Sequence, residues 1–193
     1  TPPERPTTLE YPFLRREFLT ALETSGSACA ETGWKPLHIV AGDDPKKITM
    51  PLYLKDHSMG EYVFDHAWAN AYHQSGLNYY PKLVSSIPFT PSTGPRINGI
   101  QSAEGCYTNI MEQVLERAAE QDVSSWHILF PSNENLQGFA NQPLSNRHGV
   151  QYHWFNRGYA CFDDYLAAMN SRKRKMVRRE RAQVAAPVSY THL

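Results

Sequence analysis

Apolar residues recur along this chain in two rhythms, one with a helical period and one in short unbroken runs. In PFLRREFLTALETSGS, residues 12–27, Phe13, Leu14, Phe18, Ala21 and Leu22 share one face of a predicted helix, and Gly26 ends it. CYTNIMEQVLERAAEQ, residues 106–121, keeps the same period through Ile110, Met111, Val114, Leu115 and Ala118. The runs at 37–41 and 48–54 flank the turn-forming Gly42-Asp43-Asp44-Pro45, which predicts a hairpin. YYPKLVSSIPF, residues 79–89, reads as a strand whose Pro81 and Pro88 put it near an edge or a bulge. SSWHILFP at 124–131 and VQYHWFN at 150–156 are further strand candidates. CFDDYLAAMNSRKRKMVRRERAQV, residues 161–184, is helical with a break near Asn170-Ser171, where Ser171 is placed to cap a new start. Strands interleaved with helices, and no internal repeat, predict an α/β or α+β chain.

One stretch fits neither rhythm. HSMGEYVFDHAWA, residues 57–69, holds two histidines, Glu61, Asp65 and three aromatics around Gly60. It begins β-like at Tyr62-Val63-Phe64 and turns helical through Ala67, Trp68 and Ala71. Three readings are open. A metal site would use His57, Glu61 and Asp65, four apart and on one helical face; Gly60 and the aromatic run after it argue against that helix, and no metal is expected. A turn after a strand would pack Tyr62 and Phe64 on opposite faces. A pocket lining would let Glu61, Asp65 or His57 handle a proton.

Composition narrows the classes. The chain has 193 residues, 41% of them hydrophobic, enough for one domain core with part of another. No apolar run approaches the roughly 20 residues that span a bilayer. Cys29, Cys106 and Cys161 form no CxxC pair, which fits a reducing cytoplasm. No GxGxxG, Walker lysine motif or GxSxG occurs, so neither a standard phosphate cradle nor a nucleophile elbow is marked. PFTPSTGPR could offer backbone N–H groups and Arg96 to an anion.

The net charge of zero is split unevenly. Residues 171–193 hold seven of the 19 Lys+Arg and one of the 19 Asp+Glu, a balance of +6 that leaves −6 for the rest. At helical phase Lys173 and Glu180 fall in the apolar stripe of Phe162, Leu166, Met169, Met176 and Val177. They are therefore expected to face the interior. The other basic side chains suit either a solvated face or a phosphate-bearing partner.

Several blocks together are similar to a known family. PFLRREFLTALETSGS, TGWKPLHI, PLYLKDHSMGEYVFDHAWANAY, YYPKLVSSIPFTPSTGPRI, QYHWFNRGY and FDDYLAAMNSRKRKMVRRER resemble the bacterial FemAB-like peptidoglycan biosynthesis/recognition family, grouped with GNAT-type N-acyltransferases. The resemblance implies a GNAT-like mixed, twisted sheet with helices on both faces, and two such lobes in tandem. Residues 1–149 would form the first lobe, and 150–185 the opening strand and basic helix of a second. The last eight residues, 186–193, resemble translated adapter sequence and are expected to be foreign.

The implied activity is transfer of an acyl or aminoacyl group to an amine, on a small-molecule or lipid-linked acceptor of the peptidoglycan-precursor type. The alternative is a non-catalytic module that recognises such precursors. Acyl-CoA or aminoacyl-tRNA would be the co-substrate, with no permanently bound cofactor; the R/QxxGxG/A signature of acyl-CoA enzymes is absent. Glu61, Asp65 and His57 are the candidate bases. Tyr62, Tyr80, Lys82, Thr90, Arg96, His153, Arg157, Arg174 and Arg178 are the candidate substrate contacts, with at least one of the two carboxylates expected within reach of the 82–96 segment. Arg157, Arg174 and Arg178 are expected to build a positive wall.

Overall fold

The apolar runs become short strands, and the residues between them decide which ones pair. In the computed structural model, which describes residues 11–41, 48–99 and 105–185, the strands are β1 (Lys35–Pro36), β2 (Ile39–Ala41), β3 (Ile48–Met50), β4 (Tyr53–Lys55), β5 (Lys82–Ser85) and β6 (Trp126–Ile128). A four-stranded sheet runs β1-β4-β5-β6. Its first two joints are antiparallel and β5–β6 is parallel, so the sheet is mixed and the chain is α+β. β2 and β3 pair separately as the expected hairpin, Ile39 opposite Met50. The Gly42-Asp43-Asp44-Pro45 turn and the 186–193 tail lie outside the described residues.

Two strand expectations need correction. The run 48–54 is not one strand. Pro51 has no N–H for a ladder, and the Leu52 N–H goes to His38 Nδ1 at 3.1 Å, so β3 serves the small sheet and β4 the large one. β5 is not an edge strand. Pro81 and Pro88 lie just outside the pairing residues, leaving every ladder N–H of Lys82–Ser85 in place, and all four residues are buried between β4 and β6.

The predicted helical periodicity is realised at Cys106–Gln121 and only in part elsewhere: Phe13 and Leu14, expected within the first helix, lie in a 3-10 turn before it, and Ala21 is exposed. α1 (Arg16–Thr24) follows a 3-10 turn at Pro12–Leu14 and stops before Gly26 at φ +74°. α2 (His66–Gln74) follows the 57–65 stretch. α3 (Cys106–Gln121) buries Cys106, Ile110, Met111 and Val114, whereas Leu115 turns to solvent. Of these, Cys106, Ile110 and Val114 join Ile39, Ile48, Met50, Leu52, Leu83, Ile97 and Phe139 in the main core. α4 (Asn133–Gly138) is capped by Ser132, whose Oγ accepts the Asn135 N–H.

Contacts divide the chain into two compact units, Thr1–Ser145 and Asn146–Leu193. The second contains α5 (Phe162–Ala167) and α6 (Ser171–Ala185). The strand expected at 150–156 is absent: among the described residues of this unit no strand pairs with another, and a strand without a partner leaves its backbone groups unsatisfied. Tyr152, Trp154 and Phe155 are exposed there. The helix break falls where the sequence puts it, but Asn170 is the cap, its Oδ1 accepting the Lys173 N–H at 2.9 Å. Lys173 and Glu180 do not face an interior. Both are exposed, as is Met176, and only Arg174 and Val177 of the middle turns are half-buried. The stripe is too sparse in apolar residues to bury a face of α6 within this unit.

Candidate functional site

Register brings two lysines face to face. β4 and β5 pair with Lys55 opposite Lys82, and both are fully buried. Like charges opposite each other on a ladder repel, so each ammonium needs its own compensation. Lys55 Nζ lies 3.6 Å from the centre of the Trp34 ring and donates to the Met59 carbonyl at 3.2 Å. Lys82 Nζ donates to Ser58 Oγ at 2.8 Å, to Glu61 Oε2 at 2.9 Å and to Asp65 Oδ2 at 2.7 Å. An ammonium has three protons, and all three are committed.

The acceptors come from the chain that follows β4. After Lys55 the backbone turns back over the end of the sheet, pinned by the Phe89 N–H donating to the Gly60 carbonyl at 3.1 Å. Gly60 sits at φ +80°, and a Cβ there would lie 2.7 Å from the Phe89 ring, so the turn requires glycine. Glu61 and Asp65 point inward and are buried, whereas Tyr62 and Phe64 are exposed, so these two do not pack on opposite faces. Tyr62 itself has φ +57° and is part of the turn, not of a strand. Asp65 occupies the N-cap of α2 without capping it; its Oδ2 instead accepts from Lys82, Ser58 and the Tyr79 hydroxyl, the last at 2.7 Å.

This arrangement drives the two carboxyls apart. Burial pushes Glu61 above the ordinary carboxylate range, and the pairing with Lys82 offsets only part of that. Burial acts on Asp65 in the same direction, but hydrogen bonds from Lys82, Tyr79 and Ser58 outweigh it and hold Asp65 low. Burial lowers Lys55 to about 8, against the opposing pull of Glu61 and Asp56. Glu61 is thus the carboxyl suited to carrying a proton, and Asp65 the fixed anion. Glu61 Oε1 and Asp65 Oδ1 are buried with no hydrogen-bond partner among the described residues.

Of the residues singled out by sequence, Glu61, Asp65, Lys82 and Tyr80 come together, Tyr80 through a 2.8 Å contact between its hydroxyl and Ser58 Oγ. His57 stays local: its Nδ1 accepts the Met59 N–H and its Nε2 lies 3.6 Å from Asp56. Thr90 donates to the Pro88 carbonyl. Arg96 is fully buried and donates to the carbonyls of Ser92, Gly94, Pro95 and Leu129, so it fastens a loop and offers no anion cradle. His153 and Arg157 lie in the second unit and are exposed. There Arg174 donates to the carbonyls of Leu166, Ala167 and Met169, closing the end of α5. Arg178 lies 3.7 Å from Asp163.

Sequence reasoning missed Ser58, Tyr79 and Lys55. The one available signal was a lysine at the end of each of two apolar runs, PLYLKD and PKLVSS, close enough to be drawn into a strand with no room for an unpaired charge. Among the described residues no group of three or more His, Cys, Asp or Glu is arranged to hold a metal, and no helix is long and apolar enough to cross a membrane. No curated protein and no solved structure matches the chain. Residues 4–191 match the FemAB-like family described as peptidoglycan biosynthesis/recognition. Spanning nearly the whole sequence, that match makes the chain a member of the FemAB-like peptidoglycan biosynthesis/recognition family.

Proposed function

We propose that this protein is an N-acyltransferase of GNAT type, moving an acyl or aminoacyl group from acyl-CoA or aminoacyl-tRNA to the amine of a peptidoglycan-precursor acceptor in the cytoplasm. The observation that carries this reading is the Lys82 ammonium between two buried carboxylates with opposite proton affinities. Acylating an amine releases a proton, and a carboxyl raised by burial is suited to take it near neutral pH. Glu61 fills that role. Asp65 stays ionised, 2.7 Å from Lys82 Nζ. Family membership supplies the context of peptidoglycan biosynthesis.

The test is transfer itself. Protein incubated with acyl-CoA or aminoacyl-tRNA and a stem peptide bearing a free amine is expected to add the acyl mass to the peptide. Glu61→Gln is expected to lower kcat by about 100-fold or more while leaving KM nearly unchanged. A second reading, a module that recognises the precursor without chemistry, is favoured by the closure of Lys82 and both carboxylates to solvent. Saturable binding of the stem peptide with no product from either donor would establish that reading and overturn the first.

A further inference from the structure

At the rim of the buried cluster Ser58 and Tyr80 are half-buried. Lys82, Glu61 and Asp65 are closed to solvent, whereas Ser58 is half-buried. Its Oγ lies 2.8 Å from each of three partners. It donates to Asp65 Oδ2 and accepts from Lys82 Nζ, and because its single proton is committed to Asp65, the Tyr80 hydroxyl donates to it. The three contacts use its one proton and both lone pairs. Here two donors converge on the oxygen, the arrangement that stabilises a developing alkoxide, and a lysine with a carboxylate behind it provides a route for the proton.

We propose that Ser58 is a nucleophile that carries the acyl group as an ester between donor and acceptor. The proposal rests on the acyl-transfer reading, of which it is the covalent step. The donor is an activated ester or thioester. Lys82 passes one proton to Glu61 Oε2, 2.9 Å away; the Ser58 hydroxyl then turns from Asp65 Oδ2 to the freed lone pair of Lys82, which takes its proton. Oγ bonds to the acyl carbon, the bond to the leaving group breaks, and the leaving alkoxide or thiolate recovers the proton from Glu61 through Lys82. In the second half the amine nitrogen bonds to the acyl carbon and the C–Oγ bond breaks. Oγ is reprotonated by Lys82, and the surplus amine proton restores Lys82. Serine, relay and carboxylates end as they began. The raised proton affinity of Glu61 suits it to hold the proton during the first half. The pair escapes sequence motifs because Ser58 and Lys82 are 24 residues apart and meet only through the β4–β5 ladder.

The probe is p-nitrophenyl acetate, followed by stopped-flow release of p-nitrophenolate and by peptide mass mapping. Wild type is expected to show a burst of about one equivalent and a single acetyl group on Ser58, removed by hydroxylamine as an ester is. Adding the free-amine stem peptide should discharge it as the N-acetyl product. Ser58→Ala should lose the burst, and Ser58→Cys, with the same far-UV circular dichroism, should trap a thioester. Acetyl found only on Lys55, as a hydroxylamine-stable amide, would overturn the proposal. So would stem-peptide acylation retained by a folded Ser58→Ala protein, which leaves direct transfer standing. An acetyl-Ser58 that no amine discharges would support the nucleophile and remove the acyltransferase reading instead.

Discussion

The two compact units handle charge in opposite ways. The first buries two lysines and two carboxylates at the end of one β-ladder, and each has a specific partner within hydrogen-bonding distance or over an aromatic ring. The second carries seven basic residues on α6, nearly all exposed, with one half-buried arginine closing a helix end, a loose contact from Arg178 to Asp163 and the Arg181 guanidinium 4.2 Å from the centre of the Phe162 ring at the surface. In water an ion pair gains little, because solvent already stabilises both partners. Out of water the same pair must be complete, because a charge left alone has nothing to replace its hydration. Number of charges is therefore a poor guide to where this protein depends on them. Burial is the better one.

The comparison breaks first at Lys82. Lys82→Met leaves Glu61 and Asp65 buried without their cation, and the expected loss is on the order of 3–5 kcal/mol in urea unfolding at neutral pH. A loss below about 1 kcal/mol would mean that the cluster is hydrated and that the contrast between the units is false.

Lys55 sharpens it through pH. Its folded value, about 8, lies below the ordinary lysine value of 10.5, so between the two the folded protein holds fewer protons than the unfolded chain. Its contribution to stability is present above 10.5 and is lost as pH falls through about 8. Wild-type stability should therefore rise over that window. At about 1.4 kcal/mol per pKa unit the rise is at most on the order of 3 kcal/mol. Lys55→Met should flatten it. A profile that is the same in both proteins would show that Lys55 keeps its proton.

The smallest effect is expected in the second unit. Arg178→Ala removes a contact whose partners are largely solvent-exposed, and the change in stability should stay within about 1 kcal/mol. A larger loss would make α6 a structural element in its own right. Arg174→Ala should exceed it, because three carbonyls at the end of α5 lose their donor.

Helices were the most legible part of the fold. Their signal is local: the period of α3 and the glycine after α1 depend on residues a few positions apart. Asn170 and Ser171 differ by one position as caps, and side-chain geometry alone separates them. Strands were legible as apolar runs but not as partners. VQYHWFN has the composition of a strand and forms none, because pairing is supplied by another segment and not by the run itself. Pro81 and Pro88 pointed to an edge, yet β5 is interior, since the prolines fall outside its four ladder residues.

The candidate site divides along the same line. By itself the sequence determined that Glu61 and Asp65 sit in a glycine-containing stretch dense in functional groups, and that Lys55 and Lys82 each adjoin the end of an apolar run. Only the tertiary structure decided that the two lysines are opposite each other, that Lys82 rather than His57 meets the carboxylates, and that Arg96 is turned inward to backbone carbonyls. The physical reason is burial. Which charges lose water depends on packing between residues distant in sequence, and loss of water is what sets their partners and their acidities.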